Sequence, residues 1–230
     1  SITVAVIDNG FSGMYAAMQP GGDLERQIKW QEGYRILAKN QGGLIPDTYI
    51  NESWTLNRLE LEDFQQFSPY GNTTIQAPES HGTKVAGTIA ALTNNGKGIA
   101  GVAPQAKIVP IKVGNGRTSS WGEVNLALNR VYQNIHSGMP IDIVNMSLWN
   151  GDTAGNDYLL GWNTSLPSGN SVNPDASKWY SPMQQIVRFL TDEGVIIVAC
   201  AGNGGWNIER NFPAGPSFPN IISVGAVEDT

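Results

Sequence analysis

Cysteine is nearly absent: Cys200 is the single one in 230 residues. That excludes an intrachain disulfide and any cysteine-built zinc cage, and it is compatible with the cytoplasm and with a secreted bacterial enzyme that uses no disulfides. Positive charge is also sparse, with 14 Lys and Arg against 20 Asp and Glu, a net charge of -6 and a pI near 4.9. No basic stripe is available to neutralise phosphates, so nucleic acid is not an expected partner. Runs of about 18 apolar residues are missing, which leaves no candidate membrane span. No charged n-region, apolar h-region or cleavage site precedes the first strand-like run, so no signal peptide is recognisable. Charged residues amount to only 15% while hydrophobic residues reach 40%, a balance opposite to that of disordered chains.

What is present is a series of short apolar runs rich in β-branched residues, at 2–7, 107–113, 141–148, 195–199 and 221–227. They are continuously apolar rather than alternating, as expected of strands covered on both faces. Helical spacing places Val124, Leu128, Val131, Tyr132 and Ile135 on one side of 121–137, with Ser119 or Ser120 to cap it and Gly138 and Pro140 to end it. A second helix is predicted over 182–193, with Ser181 as N-cap, Pro182 in the first helical position, an apolar face of Met183, Ile186, Val187 and Leu190, and Gly194 at its end. A third is predicted over 82–92, where Ala86, Gly87 and Ala90 permit close packing. Strands alternating with helices predict an α/β fold, a doubly wound parallel sheet with helices on both faces in three layers. The Gly-, Asn-, Gln-, Ser- and Pro-rich stretches 12–75 and 150–180 are expected to be long surface excursions from one domain spanning 1–230.

In such sheets the functional groups gather beyond the carboxyl ends of the strands. Asp8 ends the first run, His81 opens a helix, and Asn203 follows another strand end. Taken singly, each has an ordinary reading: a turn-forming Asp, a surface His, a turn Asn.

Their contexts in order are more specific. The chain reads Val4-Ala5-Val6-Ile7-Asp8-Asn9-Gly10, then His81-Gly82-Thr83-Lys84-Val85-Ala86-Gly87-Thr88, then Gly98-Ile99-Ala100-Gly101-Val102-Ala103-Pro104. Val144-Asn145-Met146-Ser147-Leu148, Ala199-Cys200-Ala201-Gly202-Asn203-Gly204, Phe212-Pro213-Ala214 and Ser223-Val224-Gly225-Ala226 follow. This succession resembles the subtilisin-like (subtilase) serine proteases, and it extends over nearly the whole chain. The resemblance implies His81 as general base, Asp8 as the carboxylate that orients it, and Asn203 as oxyanion donor. It further implies that Ser147, Leu148 and Trp149, with the region from Gly114 to 118 opposite, hold the substrate backbone as an added strand. Cys200, Ala201 and Gly202 would line the primary specificity pocket, where the ordinary role of Cys200 is that of a small buried hydrophobe. Asn9 and Trp149 depart from the residues usual at their positions, and the 73-residue spacing from Asp8 to His81 makes 12–75 an expected insertion. Pro213 resembles a family cis-proline. The loop 92–97 resembles a calcium loop of the family, with calcium expected at most as a structural ion, and Lys97 inside that loop weighs against it.

Family members carry the nucleophile in a Gly-Thr-Ser segment, and no Gly-Thr-Ser occurs here. Ser217 lies in a Pro-rich segment that does not lead into a helix and is no substitute. The expectation is that sequence or a second chain beyond Thr230 supplies the serine, either because the protein is cut in two or because a longer protease continues. The alternative is a non-catalytic subtilase-like module that binds peptides or serves as a scaffold. For an enzyme, the partners implied are a peptide or protein substrate and the complementary C-terminal polypeptide. The location implied is extracellular or in the cell envelope.

Overall fold

The computed structural model describes residues 1–38, 54–58, 80–114, 121–148, 176–203, 214 and 218–227. Its strands are β1 (Thr3–Asp8), β2 (Tyr34–Ala38), β3 (Trp54–Arg58), β4 (Lys107–Val113), β5 (Ile143–Met146), β6 (Ile196–Cys200) and β7 (Ile221–Val224). Its helices are α1 (Met14–Met18), α2 (His81–Ala90), α3 (Trp121–His136) and α4 (Ala176–Asp192). The strands form one sheet in the order β3-β2-β4-β1-β5-β6-β7. All neighbours pair in parallel except β3, which runs antiparallel to β2 at the edge.

Alternation along β1 divides the two faces. Ala5 and Ile7 join a cluster with Val109, Ile111, Val144, Met146 and Ile197, covered by Val124, Leu128 and Val131 of α3 and Ile186, Val187 and Leu190 of α4. Val4 and Val6 point the other way, into a cluster with Ile108, Phe11, Met14 and the Ala86–Ala90 side of α2. β1 is therefore buried at every position, and the three layers are those expected of a doubly wound sheet. Each fully buried aliphatic side chain contributes about 1.5–3 kcal/mol, so this central strand is the best-anchored element of the fold.

Several sequence expectations need revision. Residues from 12 onward do not begin a surface excursion: Met14, Leu24, Ile28, Tyr34 and Ile36 are buried, Ile28 bridges Ile108, and β2 is an inner strand beside β4. The helix read as starting at Pro182 begins at Ala176 and encloses the proline. A proline forbids its own backward hydrogen bond and crowds the carbonyl four residues earlier; it does not forbid helix upstream. The predicted apolar face of that helix is where expected, with Met183, Ile186, Val187 and Leu190 all buried. The helix predicted from 82 starts one residue earlier, at His81 itself. Most of 39–79 and 149–175, with Ser119, Ser120, Pro213 and Ser217, lies outside the described residues.

Candidate active site

Asp8 occupies the last position of β1 and shares its face with Val4 and Val6, the face that α2 covers. The same alternation that buries two valines therefore aims the carboxylate at the start of α2. There the first three helical residues each contribute a contact. His81 Nδ1 lies 2.8 Å from Asp8 Oδ2. Gly82 donates its backbone N–H to the Gly10 carbonyl at 2.8 Å. Thr83 Oγ1 donates to the Ser12 carbonyl at 2.9 Å. Glycine at 82 follows from contact: a Cβ there would sit 2.8 Å from the Asp8 Cβ and 2.7 Å from the Phe11 ring. Only a residue without a side chain lets the helix come close enough for its neighbouring histidine to reach the carboxylate.

Asp8 is fully buried, whereas 47% of the His81 side chain is exposed. Burial pushes the Asp8 carboxyl above its ordinary value, and the His81 imidazole and the N–H groups of Asn9 and Gly10 oppose that rise. The Asn9 backbone N–H reaches Asp8 Oδ1 at 2.9 Å. An ionised carboxylate only accepts hydrogen bonds, which fixes the proton of the neutral imidazole on Nδ1 and leaves Nε2 as its basic nitrogen.

The other site residues predicted from sequence lie along the same end of the sheet. Ser147 and Leu148 follow β5 directly and are half-buried. Cys200 ends β6, and its thiol donates to the Leu148 carbonyl at 2.9 Å, tying the two strand ends together. Burial pushes the Cys200 thiol up, so it stays protonated at neutral pH. Ala201 donates to the Val224 carbonyl at 2.8 Å, Gly202 takes a left-handed φ of 92°, and Asn203 is exposed just beyond it. Gly114, buried and with φ 71°, ends the opposite wall and donates to the Ile36 carbonyl. Trp149 and 115–118 lie outside the described residues.

Asp23 is a residue that sequence reasoning passed over. Its carboxylate enters the loop that follows α2, where it accepts from Asn95 Nδ2 at 2.8 Å and from the Ile99 N–H at 3.3 Å. Leu92 to Ala100 surround a pocket of about 300 Å³. Gly98 (φ 48°) is required there, because a Cβ would lie 1.5 Å from Asp23 Oδ2. The Gly-Asp-Leu context of Asp23 has no chemistry of its own, so only the fold reveals its partner loop.

A doubly wound sheet with a buried carboxylate and a half-exposed imidazole in contact at its carboxyl edge defines an α/β protein with an Asp–His pair at its strand ends. The chain belongs to the subtilase family, whose profile matches residues 1–230. It is 31% identical to Subtilisin E of Bacillus subtilis (strain 168) over 173 residues, 75% of this chain and 37% of that protein. It is 32% identical to Thermitase of Thermoactinomyces vulgaris over 158 residues, 68% of this chain and 44% of that protein. Among solved structures, a protease of Pseudoalteromonas arctica PAMC 21717 superposes with a TM-score of 0.60 at 25% identity, covering 99% of this chain and 56% of that one. The chain thus spans less than half the length of these curated relatives.

Proposed function

We propose that this chain forms the acid–base half of a serine endopeptidase site, the serine being supplied by sequence beyond residue 230 or by a second chain. The observation that carries the reading is the 2.8 Å contact between buried Asp8 and half-exposed His81. A peptide-binding module has no use for a carboxylate held in a dry site against its own desolvation cost, whereas a general base needs that partner. In the reaction, Nε2 of His81 removes the hydroxyl proton as the serine oxygen attacks the scissile carbonyl, then returns it to the departing amine. Asp8 keeps the ring in the productive tautomer and stabilises the imidazolium formed midway. Asn203 donates its amide to the oxyanion of the tetrahedral intermediate, an interaction of the kind that contributes about 10²–10³ in kcat. Ser147 to Trp149 and the strand end at Gly114 hold the substrate backbone, and Cys200, Ala201 and Gly202 wall the pocket for its side chain.

The shape of the sheet supports a supplied segment. On the α2 side, Val198 and Cys200 are only half-buried, and Ile222 and Val224 are 51% and 48% exposed. Parallel strands are normally covered on both faces, so this half of the sheet needs a cover, and the serine-bearing segment fills that need beside His81. Secretion to the cell exterior or envelope belongs to the same reading; relatives include an extracellular basic protease of Dichelobacter nodosus.

A calcium ion in the loop around Asp23 would draw on the Asp23 carboxylate and the Asn95 amide oxygen, which here accept from the Asn95 amide, the Ile99 N–H and the Lys97 N–H. Bound there, calcium would pin the loop after α2 to the 22–24 turn, and it would take no part in bond cleavage. Thermal unfolding with calcium and with EDTA tests this, a calcium-independent Tm speaking against it.

Two measurements test the main proposal. Native and denaturing mass of one active sample, labelled with a serine-directed phosphonate, should place the label outside residues 1–230. A lone 24.7 kDa species that is stable and ignores the probe refutes it. His81→Ala in the active protease should abolish peptide hydrolysis, and retained turnover overturns the assigned role.

A further inference from the structure

On the uncovered half of the sheet one side chain is out of keeping with its surroundings. Asn145 lies on the α2 face of β5, since it pairs with Val6 on one side and Val198 on the other. Beyond Val198 the same row continues to Ile222. The next row on this face contains Asp8 and Cys200 with its partner Val224. Asn145 therefore sits one row behind the catalytic pair, about 7 Å along the strand direction. Its amide donates one hydrogen bond, to Ser147 Oγ at 3.0 Å. A primary amide offers two donors and two acceptor lone pairs, so among the described residues its carbonyl oxygen has no donor.

A lone amide between valines is poorly placed if an apolar element simply covers it. Buried amides need partners, and a missing one is costly. Every other side chain nearby on this face of β6 and β7 is a small or branched hydrophobe or the Cys200 thiol, so the cover meets one polar point in an apolar field. Such a point fixes register: the covering chain must place an N–H opposite Asn145 and has no equivalent position one turn or one residue away.

We infer that Asn145 is a positioning residue that sets the register of the nucleophile-bearing segment against the Asp8–His81 pair. This rests on the serine protease reading proposed above. The occupant is the segment carrying the serine, because the face borders His81, the 230 residues contain no Gly-Thr-Ser, and the match takes up only 37% and 44% of two relatives. That segment is expected to be apolar on its sheet-facing side except for one backbone or side-chain N–H directed at Asn145 Oδ1. Ser147 holds the amide in orientation through its hydroxyl.

The test is Asn145→Leu in the active, full protease, followed by steady-state kinetics, the pH profile of kcat/KM, and the rate of phosphonate labelling. A register role predicts a fall in kcat of about 10–100-fold, the scale of a misplaced reacting group. KM should stay within about twofold, the apparent pKa in the profile should not move, and labelling should slow in parallel with kcat. Asn145→Ala removes the same amide with less bulk and carries the test if leucine is not accommodated. Unchanged kcat and labelling in a folded variant overturn the inference, even if Tm falls, since a purely structural amide gives that result. An equal loss in substrate affinity alone also overturns it. If instead the unsubstituted protein neither hydrolyses peptides nor takes the label, the protease reading has failed and not the role of Asn145.

Discussion

Replacing Asp8 by asparagine keeps the shape of the side chain and removes its charge, which separates what the carboxylate does for catalysis from what it does for stability. Asp8 is fully buried. Burial is the largest influence on its ionisation and raises it from the ordinary 3.8, with the His81 imidazole and the surrounding N–H donors acting against it. The folded chain therefore holds the Asp8 proton more tightly than the unfolded chain does. The stability contribution of such a group is fully present below the unfolded pKa and is lost as pH rises through the folded one. At neutral pH the ionised carboxylate is consequently a burden on the fold, one that the proposed general-base role of His81 would explain. The amide introduced by Asp8→Asn never ionises, so this variant should unfold at the same or a higher temperature than the parent at pH 7, with the advantage shrinking as pH falls toward 4. The same amide can donate to Nδ1 and favour the wrong ring tautomer, for which the loss in kcat is about 10⁴-fold. Thermal melts across pH 4–8, paired with hydrolysis of a chromogenic peptide by the active protease, read both effects. A Tm below the parent at pH 7, with a deficit that grows as pH rises, refutes the burial argument. Surviving activity refutes the catalytic one.

Gly82→Ala should cut kcat sharply, because the new methyl displaces α2 from Asp8 and stretches the 2.8 Å contact to His81; the overpacking should cost about 1–3 kcal/mol by denaturant unfolding. Gly98→Ala combines a φ of 48° with a Cβ driven into the Asp23 carboxylate, so it should lower Tm and abolish any calcium-dependent rise in a melt with and without EDTA. Leu128→Ala empties a fully buried position between α3 and the sheet, and chemical denaturation should register a loss of about 2–5 kcal/mol with KM unchanged in the folded enzyme.

The parts legible in the sequence were those where one pattern served one purpose. A continuously apolar run ending in Asp8 specifies a central strand, and the even spacing of Val4, Val6 and Asp8 already aims the carboxylate at the face that α2 covers. The His81-Gly82-Thr83 block is legible only through the family resemblance, and the structure supplies its physical reason, since all three residues contact the same junction. The segment from 12 onward differs from the surface excursion expected of it because composition hides burial there. Met14, Leu24 and Ile28 are scattered among glycines and polar residues without period, yet each is buried against the sheet. The start of α4 differs for another reason: proline is a strong cue for a first turn, yet the helix continues upstream of Pro182 to Ala176. Asp23 could not be found at all, since its meaning depends on a loop 72 positions away.

Burial along the strands bears on the proposed supply of the serine. β1 is buried at all of its positions, whereas β6 alternates between buried Ile197 and Ala199 on the α4 side and half-buried Ile196, Val198 and Cys200 on the other. Ile222 and Val224 on β7 continue that open strip. Completing the burial of such side chains is favourable by about 25 cal/mol per Å², so a segment that brings the serine, as proposed, would also close the core. Activity and full cooperativity should then arrive together. Residues 1–230 alone should bind a hydrophobic dye such as ANS and melt broadly, and adding the C-terminal polypeptide should remove dye binding, sharpen the melt and create phosphonate-reactive serine at one common stoichiometry. Dye binding that persists in the fully active enzyme would mean that the open strip is covered by something else, and would separate the closing of the core from the arrival of the nucleophile.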